Sequence, residues 1–158
     1  MLSGTGQISE DENAQFSFTS PLQIVTDQQP SPAPAGLTCA QFAAGEGGSF
    51  APPTFDVLSG NYKFYFEAVM ASGYHGPGAY QSADEPSLTG TIAVDVGVAG
   101  GQQGAVSIFR SHINGSSTLT VHGDGSGTFD YSEWGSDEVR GNTGSAASVS
   151  GTVRWSCG

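Results

Sequence analysis

The stretch NYKFYFEAVM, residues 61–70, alternates apolar side chains with a second set that includes Lys63 and Glu67. Successive side chains of a β-strand point to opposite faces, so a period of two predicts a strand with one buried face. The predicted buried set is Tyr62, Phe64, Phe66, Ala68 and Met70. No segment of the chain keeps the helical period of about 3.6 residues over three turns, and the sequence therefore predicts an all-β protein.

The same alternation recurs toward the C-terminus, and turn signals separate its segments. The further strand segments are 88–98, 104–110, 117–122, 127–132 and 148–157. Their predicted inward residues are Leu88, Ile92, Val94, Val96, Val98, Val106, Ile108, Leu119, Val121, Phe129, Tyr131, Val149, Val153, Trp155 and Cys157. Glycine-rich turns at 100–104 and 123–127, and Asn114-Gly115, supply residues that tolerate positive φ between strands. This pattern predicts a single antiparallel β-sandwich, jelly-roll or immunoglobulin-like, of about eight strands over residues 37–158.

Residues 1–36 predict a flexible N-terminal extension in three parts. Residues 1–13 are acidic and are expected to form a solvated leader. Residues 14–26 alternate again and predict an amphipathic β segment, whereas the three prolines of residues 27–36 predict an extended linker. The apolar face of the β segment is Phe16, Phe18, Leu22 and Ile24. Burying such a face is favourable, so the segment must pack either on its own sheet edge or, by strand addition, on that of a neighbouring chain.

Charge and composition exclude two classes of protein. The chain has 158 residues and a formal net charge of -11, from 15 acids and 4 bases. Such a charge repels phosphate backbones, which argues against nucleic acid as a partner. No apolar run approaches the roughly 20 residues of a membrane-spanning helix, so no transmembrane segment is expected.

The two cysteines, Cys39 and Cys157, stand in no metal-ligand spacing. Both have the parity of inward positions near the ends of the predicted domain, which favours one disulfide and an oxidising compartment. Two buried free thiols in a reducing compartment are the alternative. No signal peptide is visible after Met1, and we expect a mature extracytoplasmic form, secreted or at the cell surface.

The most distinctive stretch is ASGYHGPGAYQSADEP, residues 71–86, in which Tyr74, His75 and Tyr80 surround a Gly-Pro-Gly turn. If their rings are exposed, these residues form a stacking platform for a sugar ring or a peptide, which makes them candidate ligand-binding residues. The interpretation we favour is a long loop that its own tyrosines hold against the rim of the sandwich. Trp134, in SEWGSDEV, is a further candidate for a binding surface.

An acidic stretch around residue 130 offers oxygen ligands, which suit Ca²⁺. Its ionisable residues are His122, Asp124, Asp130, Glu133, Asp137 and Glu138. Asp124 and Asp130 of GDGSGTFD are the candidate calcium ligands, although the stretch lacks the alternating ligands of an EF-hand loop. A hairpin turn with solvated acids is the alternative, and no other cofactor is expected. The three histidines lie on different segments, which argues against a transition-metal site.

The sequence offers little for catalysis. It lacks a GxSxG elbow, and a disulfide would leave no thiol as a nucleophile. Asp130 and Glu133 are a conceivable carboxylate pair for a glycosidase on a jelly roll, but the sequence does not set their separation. Asn114-Gly115-Ser116 is a glycosylation sequon, which the predicted turn explains equally well. We therefore expect a protein that is not an enzyme.

YHGPGAY after an aromatic strand, HGDGSGTFDYS, and the closing VSGTVRWSCG resemble small secreted bacterial lipoprotein domains. Over residues 37–158 the chain is broadly similar to the mycobacterial lipoprotein antigen family in its two cysteines and its β-rich design. The resemblance implies an envelope-exposed sandwich and lends no catalytic residues. The chain departs from the pattern in having no lipobox cysteine near its start, the residue that would carry a lipid anchor.

These observations predict a non-catalytic extracytoplasmic protein of the cell envelope that binds or displays through its loops. Its expected partner is an envelope or extracellular component, either a glycan or a second copy of the chain. One alternative is a structural subunit of an extracellular assembly that uses residues 14–26 for strand addition. Another is a carbohydrate-binding or hydrolytic jelly roll.

Overall fold

The computed structural model describes residues 1–9, 11–20, 38–96, 106–137 and 147–157. This part of the chain forms β-strands and one short helix, and the all-β prediction is confirmed. The strands are β1 (Leu2–Ile8), β2 (Asp11–Ser20), β3 (Phe55–Ser59), β4 (Tyr62–Met70), β5 (Gly78–Gln81), β6 (Leu88–Val96), β7 (Val106–Arg110), β8 (Ser116–Val121), β9 (Gly127–Asp137) and β10 (Ser148–Trp155). The helix α1 (Cys39–Ala44) lies between β2 and β3. Among the described residues, no helix is long and apolar enough to cross a membrane.

The strands form one antiparallel sheet of 10 strands, with the main order β2-β1-β10-β9-β7-β6-β4-β3. The sheet branches at the long strand β9. On one edge of β9 the first half pairs with β8 and the last residues pair with β7, and on the other edge β9 pairs with β10. β5 extends the sheet beyond β8. The strands predicted as a sandwich therefore belong to one continuous sheet, and β1, β3 and β5 raise their number above the predicted eight or so.

The inward side chains of the sheet form one core that is rich in aromatic rings. Its largest fully buried side chains are Trp134, Phe64, Phe66, Phe109, Phe129, Met70, Leu88, Ile92 and Leu119. The two ends of the strand order meet in this core, since the Phe16 ring of β2 lies 5.2 Å from that of Phe55 in β3 and 4.8 Å from that of Phe64 in β4. The inward residues predicted within β4, β8, β9 and β10 are confirmed as buried or packed against the core.

The predicted flexible leader is wrong for residues 2–8, which form β1 between β2 and β10. The first and last residues of this strand are buried, and Gly4 and Gly6 take the inward positions between them. A Cβ atom on Gly6 would lie 2.4 Å from a ring carbon of Phe16 and 2.5 Å from the Tyr131 hydroxyl oxygen. These two side chains therefore fill the space that a larger residue at position 6 would need. The apolar alternation is hidden in the sequence because two inward positions carry no side chain.

The predicted amphipathic segment of residues 14–26 contributes its first part to β2. Phe16 is buried and Phe18 is half-buried, and both rings pack on Phe55. Within this single chain β2 pairs with β1, so the segment packs on its own sheet. Outside the described residues lie Leu22, Ile24 and the predicted linker 27–36.

β7 turns the opposite face to the core from the one predicted. Phe109 is buried opposite Ile92 of β6, whereas Ile108 is half-buried on the outer side. In VSIFR, residues 106–110, apolar residues stand on both sides of the strand. The Phe109 ring lies in the core because it buries a larger apolar area than Ile108 would. Outside the description lie Val98, the turn 100–104 and the side chains of Val96 and Val106.

Cys39 begins the helix α1 instead of occupying an inward strand position. Thr38 caps this helix: its hydroxyl accepts the Gln41 N–H at 3.2 Å, and its own N–H donates to Gln41 Oε1 at 2.8 Å. This reciprocal pair is a capping box, which satisfies N–H groups that the first turn leaves without partners. A helix of 6 residues is too short to show its period in the sequence.

The first strand and the last strand of the chain are neighbours. β1 runs antiparallel to β10, with Leu2 opposite Trp155. The Met1 ammonium donates to the Ser156 carbonyl at 2.7 Å, and the Ser156 N–H donates to the Met1 carbonyl at 2.8 Å. Residues from the two ends of the given sequence are therefore hydrogen-bonded to each other within the sheet.

Candidate functional site

Tyr74 and Tyr80 of the loop 71–86 are both buried, with 5% and 3% of their surface accessible. The Tyr74 hydroxyl donates to the Ala43 carbonyl at 2.5 Å, and its ring stacks on Phe50 at 4.8 Å. Burial raises the pKa of Tyr74 to about 12, because the phenolate would lose its hydration. This ring ties the loop to α1 and to the core.

Tyr80 holds the other side of the same loop. Its hydroxyl donates to the Gly76 carbonyl at 2.5 Å and lies 3.3 Å from the backbone nitrogen and from Nδ1 of His75. His75 is exposed, and its ring lies 5.1 Å from the Tyr80 ring. These contacts are those expected of a loop that its own tyrosines hold, and the alternative of two exposed tyrosine rings is wrong.

Trp134, expected on a binding surface, is fully buried. Its indole nitrogen donates to the Ser117 hydroxyl at 3.1 Å, and its ring covers Gly90 of β6. A β-bulge causes this placement, because two residues of β9, the second of which is Glu133, lie opposite one residue of β10. Glu133 has a φ of 55°, and the extra residue turns Trp134 from the outer to the inner face.

Asp124 and Asp130, the candidate calcium ligands, each have a partner within the protein. In the turn 122–126 the Asp124 carboxylate accepts the hydroxyl and the backbone N–H of Ser126, at 2.6 and 2.9 Å, and these bonds lower the pKa of Asp124. Asp130 of β9 accepts from the Thr152 hydroxyl. In the described part of the chain no three His, Cys, Asp or Glu lie close enough to hold a metal ion. His122 and Glu133 are exposed, and outside the description lie Glu138 and the Asp137 side chain.

Cys39 and Cys157 form the predicted disulfide, with their Cα atoms 5.7 Å apart. It joins the start of α1 to the chain just beyond β10 and closes a loop of 118 positions. The turn 122–126 packs on it, since a Cβ atom on Gly125 would lie 2.6 Å from the Cys39 carbonyl oxygen. The Trp155 indole donates to the Gly125 carbonyl at 2.8 Å, so the disulfide, the turn and the end of β10 form one packed unit.

The outer side of β2, β1, β10, β9, β8 and β5 carries a continuous polar surface, which we call the hydroxyl face. Its members are Gln15, Ser17 and Thr19 of β2, Ser3, Thr5 and Gln7 of β1, Ser150, Thr152 and Arg154 of β10, Thr128, Asp130 and Ser132 of β9, Ser116, Thr118 and Thr120 of β8, and Ala79 and Gln81 of β5. All of them are exposed or half-buried. The strand register aligns one row across the face, the central row, which consists of Ser17, Thr5, Thr152, Asp130, Thr118 and Gln81.

The hydroxyl face is nearly uncharged, although the chain has a net charge of -11. Its charged members are Asp130 and Arg154, which have opposite signs, and the exposed Glu133 of the β-bulge adjoins the face at Ser150. Among the described residues of this face, side-chain hydrogen bonds within the protein involve Thr152, Asp130 and Ser150, the last of which accepts the Glu133 N–H at 2.9 Å. The other hydroxyls and amides of the face retain donors and acceptors that a ligand can use.

The outer side of β3 and β4 has a different character. It exposes Leu58, with 65% of its surface accessible, beside an ion pair of 2.9 Å between Lys63 and Asp56. The Tyr65 hydroxyl donates to the Glu67 carboxylate at 2.9 Å. The polar groups of this side are thus paired with one another, in contrast to those of the hydroxyl face.

The hydroxyl face has a sequence signal that is distributed over many segments. Thr118 and Thr120 of β8, and Thr152 of β10, stand at the outward positions that alternate with the inward residues of their strands. The strand order brings these positions onto one surface, and that order is set by pairing between distant segments, so loop motifs gave no indication of it.

Comparison of the chain with protein-family models, with curated proteins and with solved structures finds no match.

Proposed function

We propose that the protein is a non-catalytic extracytoplasmic binding module of the cell envelope, and that its binding surface is the hydroxyl face. The observation that carries this proposal is the continuous array of exposed Ser, Thr and Gln side chains, most of which make no hydrogen bond within the described part of the protein. Groups held on a sheet lose little conformational freedom on binding, so they are preorganised donors and acceptors. The loop 71–86 is a poorer candidate, because internal contacts occupy both of its tyrosines.

Two features support the extracytoplasmic location. The disulfide between Cys39 and Cys157 is of a kind that persists in oxidising compartments. The resemblance of residues 37–158 to the mycobacterial lipoprotein antigen family implies an envelope protein. Thiol alkylation of intact producing cells, followed by fractionation, tests the location. Protein outside the cytosol without alkylated cysteines agrees with the proposal, and cytosolic protein with two alkylated cysteines contradicts it.

The binding surface is tested by sedimenting the purified protein with insoluble envelope material from the organism that makes it. The variant Thr5→Lys/Thr118→Lys places two long charged side chains on the central row. The matched control, Thr89→Lys/Thr91→Lys, adds the same charge at outward positions of β6 on the other part of the sheet. We expect the wild type and the control to sediment with the envelope and the first variant to remain in solution. Equal behaviour of the two variants, or no sedimentation of the wild type, contradicts the proposal.

A second candidate function is the structural subunit of an extracellular assembly. Among the described residues, β2 pairs with β1 on one edge and has no sheet partner on its other edge. An unpaired edge is a template for a strand from another chain. Light scattering after size exclusion, over a range of concentrations, tests this candidate. Rings or polymers support it, and a monomer at every concentration contradicts it.

A further inference from the structure

The hydrogen-bonding chemistry of the hydroxyl face restricts the class of ligand. Each Ser or Thr hydroxyl is both a donor and an acceptor, and sugar hydroxyls have the same dual character. Burying such groups against a protein costs free energy unless each finds a partner, and protein interfaces usually have apolar or aromatic centres. Ala79 is the apolar member of this face. A polyhydroxylated ligand therefore matches the surface better than a dry protein interface does.

The charge distribution favours a neutral ligand. The net charge of -11 repels a polyanion at long range. On the face itself Arg154 is the single base, Asp130 is an acid and the exposed Glu133 lies beside Ser150, so the described residues offer no cluster of bases to acidic sugars. A neutral chain meets no long-range repulsion from the net charge, and its hydroxyls can donate to Asp130 and accept from Arg154.

The dimensions of the central row favour a chain of sugars over a single one. The row crosses the paired strands from β2 to β5. Neighbouring strands lie about 4.8 Å apart, so the six positions of the row span roughly 24 Å on an outer surface of the sheet. We propose that the hydroxyl face binds a neutral polysaccharide whose chain lies along the central row, across the strands; this inference rests on the proposed function.

The hydrogen bond from Thr152 to Asp130 marks the centre of the row. The Asp130 carboxylate keeps further lone pairs, with which it accepts hydrogen bonds from neighbouring sugar hydroxyls. Hydrogen bonds to an ionised acceptor are roughly twice as strong as those between neutral groups. Asp130 is thus the member of the face whose loss weakens binding most, and Asp130→Asn removes its charge at constant shape.

Affinity electrophoresis tests the proposal with defined polysaccharides cast into the gel. Dextran, mannan, galactan, arabinan and mixed-linkage β-glucan are the neutral probes, and alginate and polygalacturonate are the acidic ones. Thr5→Val/Thr118→Val removes two hydroxyls of the central row at nearly constant shape, and Thr89→Val/Thr91→Val is the matched control. Thermal unfolding of each variant establishes that it is folded.

We expect at least one neutral polysaccharide to retard the wild type and the control equally. The Thr5→Val/Thr118→Val variant should bind about tenfold more weakly, because it lacks two hydrogen-bonding groups. Asp130→Asn should weaken binding further. Absence of retardation by every neutral probe, retardation by the acidic probes alone, or equal weakening in the control overturns the proposal.

Treatment of the envelope material before sedimentation separates this proposal from the proposed function. Periodate cleaves the vicinal diols of sugars, and protease removes proteins. Loss of binding after periodate supports a polysaccharide. If protease but not periodate abolishes binding of the wild type, and Thr5→Lys/Thr118→Lys does not bind untreated envelope, the ligand is not a polysaccharide and the proposed function as a binding module still holds. Envelope binding that Thr5→Lys/Thr118→Lys does not change refutes both.

Discussion

Replacing Gly90 by alanine should destabilise the fold, although alanine is ordinarily the better residue inside a strand. A Cβ atom at this position would lie 2.2 Å from Cη2 of Trp134 and 3.0 Å from Cζ2 and Cζ3. Carbon atoms in good contact are about 3.5–4.0 Å apart, so the buried indole ring must move. Overpacking of this kind costs about 1–3 kcal/mol, and the entropic gain from removing glycine offsets about 0.5–1 kcal/mol of it. A net loss of about 1–2 kcal/mol follows.

Thermal unfolding followed by circular dichroism measures this loss, and at this chain length each kcal/mol lowers Tm by about 2–4 °C. Trp134→Phe should also lower Tm, because it leaves a cavity and removes the hydrogen bond to Ser117. In the double variant the alanine methyl has room beside the smaller ring, so the two losses should fall short of their sum by about 1 kcal/mol. Thr89→Val, at the adjacent outward position, should change stability by about 0.5 kcal/mol or less. An unchanged Tm for Gly90→Ala, or strict additivity in the double variant, would refute the packing described for Trp134.

Three further predictions concern the covalent link, the buried tyrosines and the N-terminal strands. Replacing Cys39 and Cys157 by serine should lower the free energy of unfolding, measured by urea titration, by about 5 kcal/mol, which is the loop-closure value for a separation of 118 residues. The intact mass after alkylation, measured with and without reductant, should first show that the disulfide is present. Stability should fall as the pH rises from about 10 to about 12, because the pKa of Tyr74 is 10.0 when unfolded and about 12 in the fold, so that folding favours the protonated ring. Tyr74→Phe should make that decline shallower in unfolding titrations across this range. Deleting residues 1–20 should give an unfolded or aggregating chain by size exclusion, since β10 loses its partner strand and the core loses Phe16; a stable truncated monomer would contradict this.

Alternation predicted those strands whose inward positions carry large apolar side chains, as Phe64 and Phe66 do in β4. It failed where those positions are glycine, because the rings that fill the space above Gly4 and Gly6 belong to other strands. In β7 both faces hold apolar residues, so only the pairing with β6 decides that Phe109 points inward. α1 and β5 are too short, at 6 and 4 residues, for any period to be read.

The candidate site was less accessible to sequence reasoning than the fold. The sequence of the loop 71–86 is compatible with exposed or buried tyrosines, and only the packing against α1 and the core shows that the rings of Tyr74 and Tyr80 anchor the loop. Trp134 has outward parity when counted from Phe129, and the bulge at Glu133 that reverses this parity arises only when β9 pairs with β10. The hydroxyl face likewise depends on which strands become neighbours, a property of long-range pairing that local patterns do not contain.

The pairing of β1 with β10 also fixes the order of events during biosynthesis. The ribosome makes β1 first and β10 last, and at about 5–20 residues per second on the order of ten seconds separates them. Until residues 148–157 have emerged, β1 has no partner on one edge and Cys39 has no thiol with which to react. Long-range antiparallel contacts of this kind also form slowly. The pairing of β1 with β10 and the bond between Cys39 and Cys157 therefore form late, after the strands that lie between them in the sequence have left the ribosome.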